Sequence, residues 1–414
     1  MQFTLATVIA ALPFLALAAP APQGSLTKIA LNKRSNLTHT DGSVNSAKLR
    51  AHLAASTAKI QRGFAAYEKN TGTKHPLAAK SGASKRDTGK DALTDDESQL
   101  WYGSIEVGTP STKYTVDFDT GSSDLFLPGP NCGSTCSGHT VYDPSKSSTS
   151  KDVGQSFSLS YGDGSTVAGE QYTDTVTLAG LTAKTQTLGA AKQYSSGFES
   201  SQFPADGLLG MGFKSISDYG ANPTFQTLVA NGETDSPVFA FKLSSSGAEL
   251  SVGGTDSSLY SGDFTYAQVE KEGYWQVALD GVSVGGSKTL DSLDSIIDTG
   301  TTLIVGDSTN VAKLYKAIPG SKDASSSVGA GFYTVPCDSI PDISLTFNGQ
   351  SFDISSSSFN LGPATSGSSD CVGGISSQDS DSSFWIVGGM DVFLQNTYTV
   401  FDVGNSQVGF AKLS

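Results

Sequence analysis

Val116-Asp117-Phe118-Asp119-Thr120-Gly121-Ser122 in the first half of the chain and Ser295-Ile296-Ile297-Asp298-Thr299-Gly300-Thr301 in the second are two copies of one pattern. Each places an apolar residue before Asp-Thr-Gly and a hydroxyl after it. Downstream of each copy comes an apolar-apolar-glycine segment, Leu208-Leu209-Gly210 and Ile386-Val387-Gly388. The aspartates lie 179 residues apart (119 to 298) and the glycines 178 (210 to 388). Two unrelated motifs recurring at nearly one period indicate an internal duplication. The simplest architecture is two homologous lobes facing each other across a pseudo-twofold axis, each lending one carboxylate to a shared cleft.

Around these motifs, from about residue 98, the chain is rich in Ser, Thr, Gly and Val in short alternating runs. In Tyr114-Thr115-Val116-Asp117-Phe118 and Phe157-Ser158-Leu159-Ser160-Tyr161 every second side chain is apolar, and a pleated strand puts those on one face. The fold class is therefore mostly β. Two short helices are expected, from Pro223 to Ala230 before Asn231-Gly232, and from Ser308 to Ile318 before Pro319-Gly320.

The ends differ from this body. The first residues are uncharged, run apolar from Leu5 to Leu17 and end in Ala16-Leu17-Ala18, so residues 1–18 read as a secretory signal. Residues 1–86 hold 12 Lys and Arg against Asp41 and Glu68, a net of +10. The remainder carries 14 Lys and 38 acidic groups, a net of −24. Ser84-Lys85-Arg86 is a dibasic processing site, which makes residues 19–86 a prosegment, residues 87–265 a first lobe and residues 266–414 a second. A second dibasic pair, Lys33-Arg34, leaves the number of cuts open, and the one glycosylation sequon, Asn36-Leu37-Thr38, falls in the removed part. So acidic a body disfavours nucleic acid and anionic membranes as partners. It suits an acidic medium, where titrating carboxylates relieve self-repulsion. A soluble monomer, secreted or kept in a vacuole, is expected.

Four cysteines, Cys132, Cys136, Cys337 and Cys371, all lie after the processing site. In an oxidising compartment an even count suggests disulfides in one of three connectivities. The local pairs Cys132–Cys136 and Cys337–Cys371, one in each half, are favoured. Zinc is the alternative, although the spacing lacks a paired knuckle and His139 is the sole histidine of the mature part. No metal or cofactor is expected.

Two carboxylates about 3 Å apart across such an axis cannot both ionise freely and share a proton over a wide pH range. One then acts as base toward a water and the other as acid toward a scissile carbonyl. Asp119 and Asp298 are the candidate pair. Gly121 and Gly300 let the backbone approach and offer N–H groups, Ser122 and Thr301 can donate hydroxyls, and Thr120 and Thr299 can cross-link the two loops. A third Asp-Thr-Gly, Asp87-Thr88-Gly89, follows Arg86 without an apolar strand before it and reads as the start of the mature chain.

From about Gln99 to the C-terminus the chain resembles the pepsin family. The likeness is carried by both Asp-Thr-Gly copies, Trp101-Tyr102-Gly103-Ser104-Ile105-Glu106-Val107-Gly108-Thr109-Pro110, Tyr161-Gly162-Asp163-Gly164-Ser165, Asp206-Gly207-Leu208-Leu209-Gly210 and Tyr398-Thr399-Val400-Phe401-Asp402. The resemblance implies a bilobal pepsin-like fold and an aspartic endopeptidase acting on extended peptides. It also implies a substrate-binding flap at Tyr161, Gly162 and Asp163, a hairpin turn able to close over a cleft. Phe198, Phe203, Leu208 and Ile304 are candidate pocket liners. Two departures stand out. The family's usual tryptophan is Phe126, which has no donor for Tyr161, and Gly388-Gly389-Met390-Asp391 carries a short insertion.

The +10 prosegment against the −24 body suggests an intramolecular inhibitor that sets a lysine beside the two aspartates. Lys69, in Tyr67-Glu68-Lys69-Asn70, is the candidate, with a solvated lysine as the plain alternative. Two other functions compete: a catalytically silent binding protein on the same fold, and a glycosidase. A glycosidase needs its carboxylates some 5 Å or more apart among sugar-stacking aromatics.

Overall fold

The computed structural model describes residues 26–34, 37–80, 100–160, 165–244, 247–378, 384–388 and 392–414. The duplication seen in the sequence is a duplication of strand topology. In the first half Thr112–Asp119 runs parallel to Gly207–Gly210, which pairs antiparallel with Leu125–Pro128, which in turn runs parallel to Leu181–Tyr194. In the second half Leu293–Ile297 runs parallel to Phe384–Val387, which pairs antiparallel with Ile304–Asp307, itself parallel to Ile375–Gln378. Even the register repeats: Leu125 faces Leu209 where Ile304 faces Val387.

The first set belongs to an eight-stranded sheet whose long hairpin, Thr166–Leu178 with Leu181–Tyr194, supplies the outer wall. The second set forms a five-stranded sheet with Gln276–Leu279 at its edge. A six-stranded sheet joins the halves, combining Thr27–Ala30, Val238–Lys242, Glu249–Val252 and Tyr260–Gln268 with the C-terminal hairpin Thr397–Asp402 and Gln407–Leu413. The strand Tyr260–Gln268 thus spans the expected lobe boundary at 265. Along Thr166–Leu178 buried and partly exposed residues alternate, with Val167 buried in the first half and Val176 and Leu178 in the second, the phase slipping by one residue at Tyr172-Thr173. It fails in Thr112–Asp119, where Asp117 is buried along with Val116 and Phe118. That strand lies inside its sheet and is covered on both faces, so the period-two pattern does not separate water from core there.

Both expected helices form, as Thr224–Ala230 and Ser308–Lys316. Both local disulfides form as well, Cys132–Cys136 and Cys337–Cys371, which removes the zinc alternative for those thiols.

The basic N-terminal segment, expected to be a prosegment, holds a 26-residue helix, Ser46–Thr71, that no motif in the sequence marks. Asn45 caps its start by accepting from the Lys48 amide at 3.2 Å, and Gly72, left-handed at φ 74°, ends it by donating to the Glu68 carbonyl at 2.9 Å. Leu49, Leu53, Ile60, Phe64 and Tyr67 form its buried stripe, packed into one cluster with Tyr274, Leu303, Val305, Phe384 and Ile386. Burying five such side chains is worth on the order of 10 kcal/mol before ordering costs, as an upper bound. Two flanking strands complete the docking. Thr27–Ala30 pairs with Glu249–Val252, and Asn32–Arg34, containing the second dibasic pair, pairs with Leu100–Tyr102. Among the described residues no helix is long and apolar enough to cross a membrane. Residues 1–18, expected to be a signal, and Asn36, Lys85, Arg86 and Asp87 lie outside the described residues.

Candidate active site

Asp119 is the last residue of the strand Thr112–Asp119, and Asp298 follows directly on Leu293–Ile297, so equivalent strand ends deliver the two carboxylates. Each is anchored in the same way. The Gly121 amide donates to Asp119 Oδ1 at 2.9 Å and the Ser122 hydroxyl to Oδ2 at 2.5 Å. The Gly300 amide donates to Asp298 Oδ1 at 2.9 Å and the Thr301 hydroxyl to Oδ2 at 2.5 Å.

The loops are locked by their threonines. The Thr120 amide donates to Thr299 Oγ1 at 3.0 Å and the Thr299 amide to Thr120 Oγ1 at 2.9 Å. Each hydroxyl then donates across the axis, Thr120 to the Ile297 carbonyl at 3.0 Å and Thr299 to the Phe118 carbonyl at 2.7 Å. Four buried hydrogen bonds with no slack fix the separation of the acids. Gly121 and Gly300 are required by close approach. A Cβ on Gly121 would lie 2.5 Å from Asp298 Oδ1, and one on Gly300 would overlap Asp119 Oδ1. The carboxylates face each other because neither loop has a side chain between them.

A cation closes the site. Lys59 Nζ lies 2.8 Å from Asp119 Oδ1 and 2.8 Å from Asp298 Oδ2, and all three side chains are buried. It comes from the middle of the prosegment helix. The expected lysine, Lys69, instead donates to the Asp218 carbonyl at 3.2 Å near the helix end. Lys59 carries no motif, but Ser56 and Gly63 are buried on the same face, and at Gly63 a Cβ would overlap the Tyr274 hydroxyl. That small-residue face was the available signal.

Burial disfavours the Lys59 ammonium, yet the charges of Asp119 and Asp298 outweigh it and hold its pKa above the usual lysine range. Burial also pushes on Asp119, but Lys59 and the Ser122 hydroxyl bring that carboxyl below its ordinary value. Asp298 moves up, through burial first and then the charge of Asp119, with Lys59 opposing. The buried ammonium therefore sits between two unequal acids, Asp119 the readier to ionise and Asp298 the less ready. Asp117 lies in the same strand with Oδ1 unpartnered, and burial and the nearby Asp119 raise its pKa well above the carboxylate range.

The turn predicted as a flap is bracketed by paired strands, Lys151–Ser160 and Thr166–Leu178, joined by Ser160 opposite Thr166. Tyr161, Gly162 and Asp163 at its tip lie outside the described residues, as do Gly389, Met390 and Asp391. Phe126 is fully buried, edge-on to Tyr194 and Phe198 at 5.9 and 5.6 Å. Phe198, Phe203, Leu208 and Ile304 are all buried, and Phe198 packs on Phe203 at 5.1 Å. No cluster of three or more metal-ligating side chains occurs among the described residues.

A family model described as eukaryotic aspartyl protease matches residues 100–413. The chain is 46% identical over 345 residues to an aspartic protease of Phaffia rhodozyma, covering 82% of this chain and 83% of that one. It is 35% identical to rhizopuspepsin-4 of Rhizopus niveus over the full length of both. It is 37% identical to cathepsin E of Rattus norvegicus, covering 75% of this chain and 79% of that one.

Proposed function

The chain belongs to the eukaryotic aspartyl protease family and is an aspartic-type peptidase, and on that premise we propose that Asp119 and Asp298 are its catalytic pair, working at acid pH after a prosegment is removed. The observation that carries this is the symmetric seating of two buried carboxylates, each held by one amide and one hydroxyl and fixed at one separation by the threonine cross-links.

With Lys59 withdrawn, the pair shares one proton. The ionised carboxylate takes a proton from a water between the two acids, and the oxygen attacks the peptide carbonyl. The protonated carboxyl meanwhile gives its proton to the carbonyl oxygen, forming a tetrahedral diol. Return of that proton to the pair and transfer of the other to the leaving amine cleave the bond. Gly121, Gly300, Ser122 and Thr301 hold the carboxylates throughout, and Thr120 and Thr299 keep them in register. Tyr161, Gly162 and Asp163 close over the peptide.

Lys59 bridges the two carboxylates where that water must sit, so the docked prosegment is an intramolecular inhibitor. In this reading residues 1–18 direct secretion, residues 19–86 are the prosegment, and Arg86 ends it. The mature enzyme acts as a monomer on proteins, outside the cell or in a vacuole.

The test is hydrolysis of a fluorogenic peptide at about pH 4 by the processed enzyme, with and without pepstatin. Asp119→Asn and Asp298→Asn should each lower kcat by at least roughly 1000-fold, the range associated with positioned acid–base groups. Undiminished cleavage by either variant overturns the assignment. A folded wild-type protein that binds peptides without cutting them would mark a silent binding protein instead.

A further inference from the structure

Arg62 lies three residues beyond Lys59, one turn further along the prosegment helix, and its guanidinium spans the two walls of the cleft. Its Nε is 3.3 Å from Asp218 Oδ2, and its Nη1 donates to the Ser160 carbonyl at 2.9 Å. Ser160 is the residue before the flap tip, and Asp218 belongs to the opposite loop, Ser217 to Tyr219. That loop is built around a second acid. Asp124, buried, accepts from the Ser217 hydroxyl at 2.5 Å, the Asp218 amide at 2.7 Å and the Tyr219 amide at 3.3 Å. Asp218 is tied to the catalytic cleft by geometry: the helix that sets Lys59 against Asp119 and Asp298 sets Arg62 against Asp218 one turn later.

The cations that bear on Asp218 are Arg62 and Lys69, and both belong to the prosegment. When the prosegment leaves, Asp218 loses both and keeps Asp124 behind it and the Ser160 carbonyl across from it. A cavity of about 320 Å³ opens beside it, between Phe157 and Ser158 on one side and the prosegment's own Lys69 and Asn70 on the other. The space is ready for a side chain once the helix is gone.

We propose that Asp218 and the Ser160 carbonyl form a subsite for a basic side chain of the substrate, which in the precursor is filled by Arg62. The reading rests on the peptidase assignment above and adds a specificity to it. A substrate guanidinium replaces Arg62 donor for donor, one N–H to the carboxylate and one to the carbonyl. Lysine, a point charge with no fork, satisfies the carboxylate but matches the two acceptors less well. Asp218 is thus the specificity-determining residue, and Asp124 is a positioning residue that holds its loop.

The test uses processed enzyme at about pH 5.5 and a set of fluorogenic peptides of one sequence. Arginine or norleucine is placed in turn at each of three positions on either side of the cut bond. One position should favour arginine over norleucine by roughly tenfold in kcat/KM, the worth of a charge-assisted hydrogen bond. Asp218→Asn should bring that ratio close to one, and Asp218→Glu should recover part of it. No arginine preference at any position in the wild type overturns the proposal without recourse to a variant, and Asp218 then serves only the prosegment. A preference that survives Asp218→Asn overturns it as well. If norleucine and arginine peptides both remain uncut, the peptidase reading falls and this one with it.

Discussion

His75 gives the prosegment a proton-sensitive contact separate from the catalytic pair. Its ring is fully buried between Phe64, stacked at 5.2 Å, and the edges of Tyr67 and Tyr274 at 4.9 and 5.8 Å. Nδ1 accepts from the Leu77 amide at 3.3 Å, and Nε2 has no partner. A second proton would set two N–H donors against each other at Nδ1 and place a charge in an aromatic cage near Lys271. Burial first, then the charge of Lys271, lowers its pKa from 6.5 to about 4. The released prosegment exposes His75 to water, where it titrates near its ordinary value. The docked form therefore binds fewer protons, and its stability is intact above about pH 6.5 and drains away as pH falls toward 4. A shift of that size is worth about 3 kcal/mol. His52, on the helix Ser46–Thr71 and also held near 4 by burial and Lys48, acts in the same direction.

Replacing His75 by Phe keeps an aromatic ring in the cage and removes the proton site. Losing the Leu77 contact costs about 1 kcal/mol, independent of pH. Unmasking is read as the initial rate of fluorogenic-peptide cleavage when uncut precursor is stepped from neutral to lower pH. In the wild type the response should develop between about pH 6.5 and 4, and in His75→Phe its slope should fall by one proton, about 1.4 kcal/mol per pH unit. The midpoint should then move down by about one unit. Superimposable profiles through that window would refute the reasoning.

Two further outcomes follow from buried charge. Lys59→Met leaves both carboxylates without their cation, a loss of roughly 3–5 kcal/mol in docking. Its uncut precursor should cleave peptide at about pH 6, where the wild-type precursor stays silent; equal silence would show that apolar packing alone closes the cleft. Asp124 is raised to about 6 by burial and by Asp218, so it destabilises the fold increasingly between about pH 4 and 6 and not below. Asp124→Asn should shrink the difference in urea-unfolding free energy between pH 4 and pH 7 by about 3 kcal/mol, and an unchanged difference would dismiss Asp124 as a source of neutral-pH lability.

The repeat carried most of the architecture in the sequence. Paired Asp-Thr-Gly copies and paired apolar-apolar-glycine segments fixed the equivalent strands, because a carboxylate at a strand end and a glycine in the neighbouring strand are both needed to build one half-site. The roles of Gly121, Gly300, Ser122 and Thr301 were legible for the same reason: each acts on its own aspartate from two or three residues away. Lys59 was not legible, because nothing within its own neighbourhood names its partners, 60 and 239 residues distant. Nor was the prosegment helix, whose stripe of Leu49, Leu53, Ile60, Phe64 and Tyr67 is spread among polar and small residues and makes sense only against the surface it covers.

Asp117 shows the same division. Its alternation with Val116 and Phe118 predicts a polar face, while the packed sheet buries it beside Asp119. The seating of the two aspartates was set by near neighbours in the chain and could be read along it. The cation between them, the acid behind Asp218 and the cage around His75 were decided only by folding, since charge and burial act through space and a linear sequence does not say which distant groups will share it.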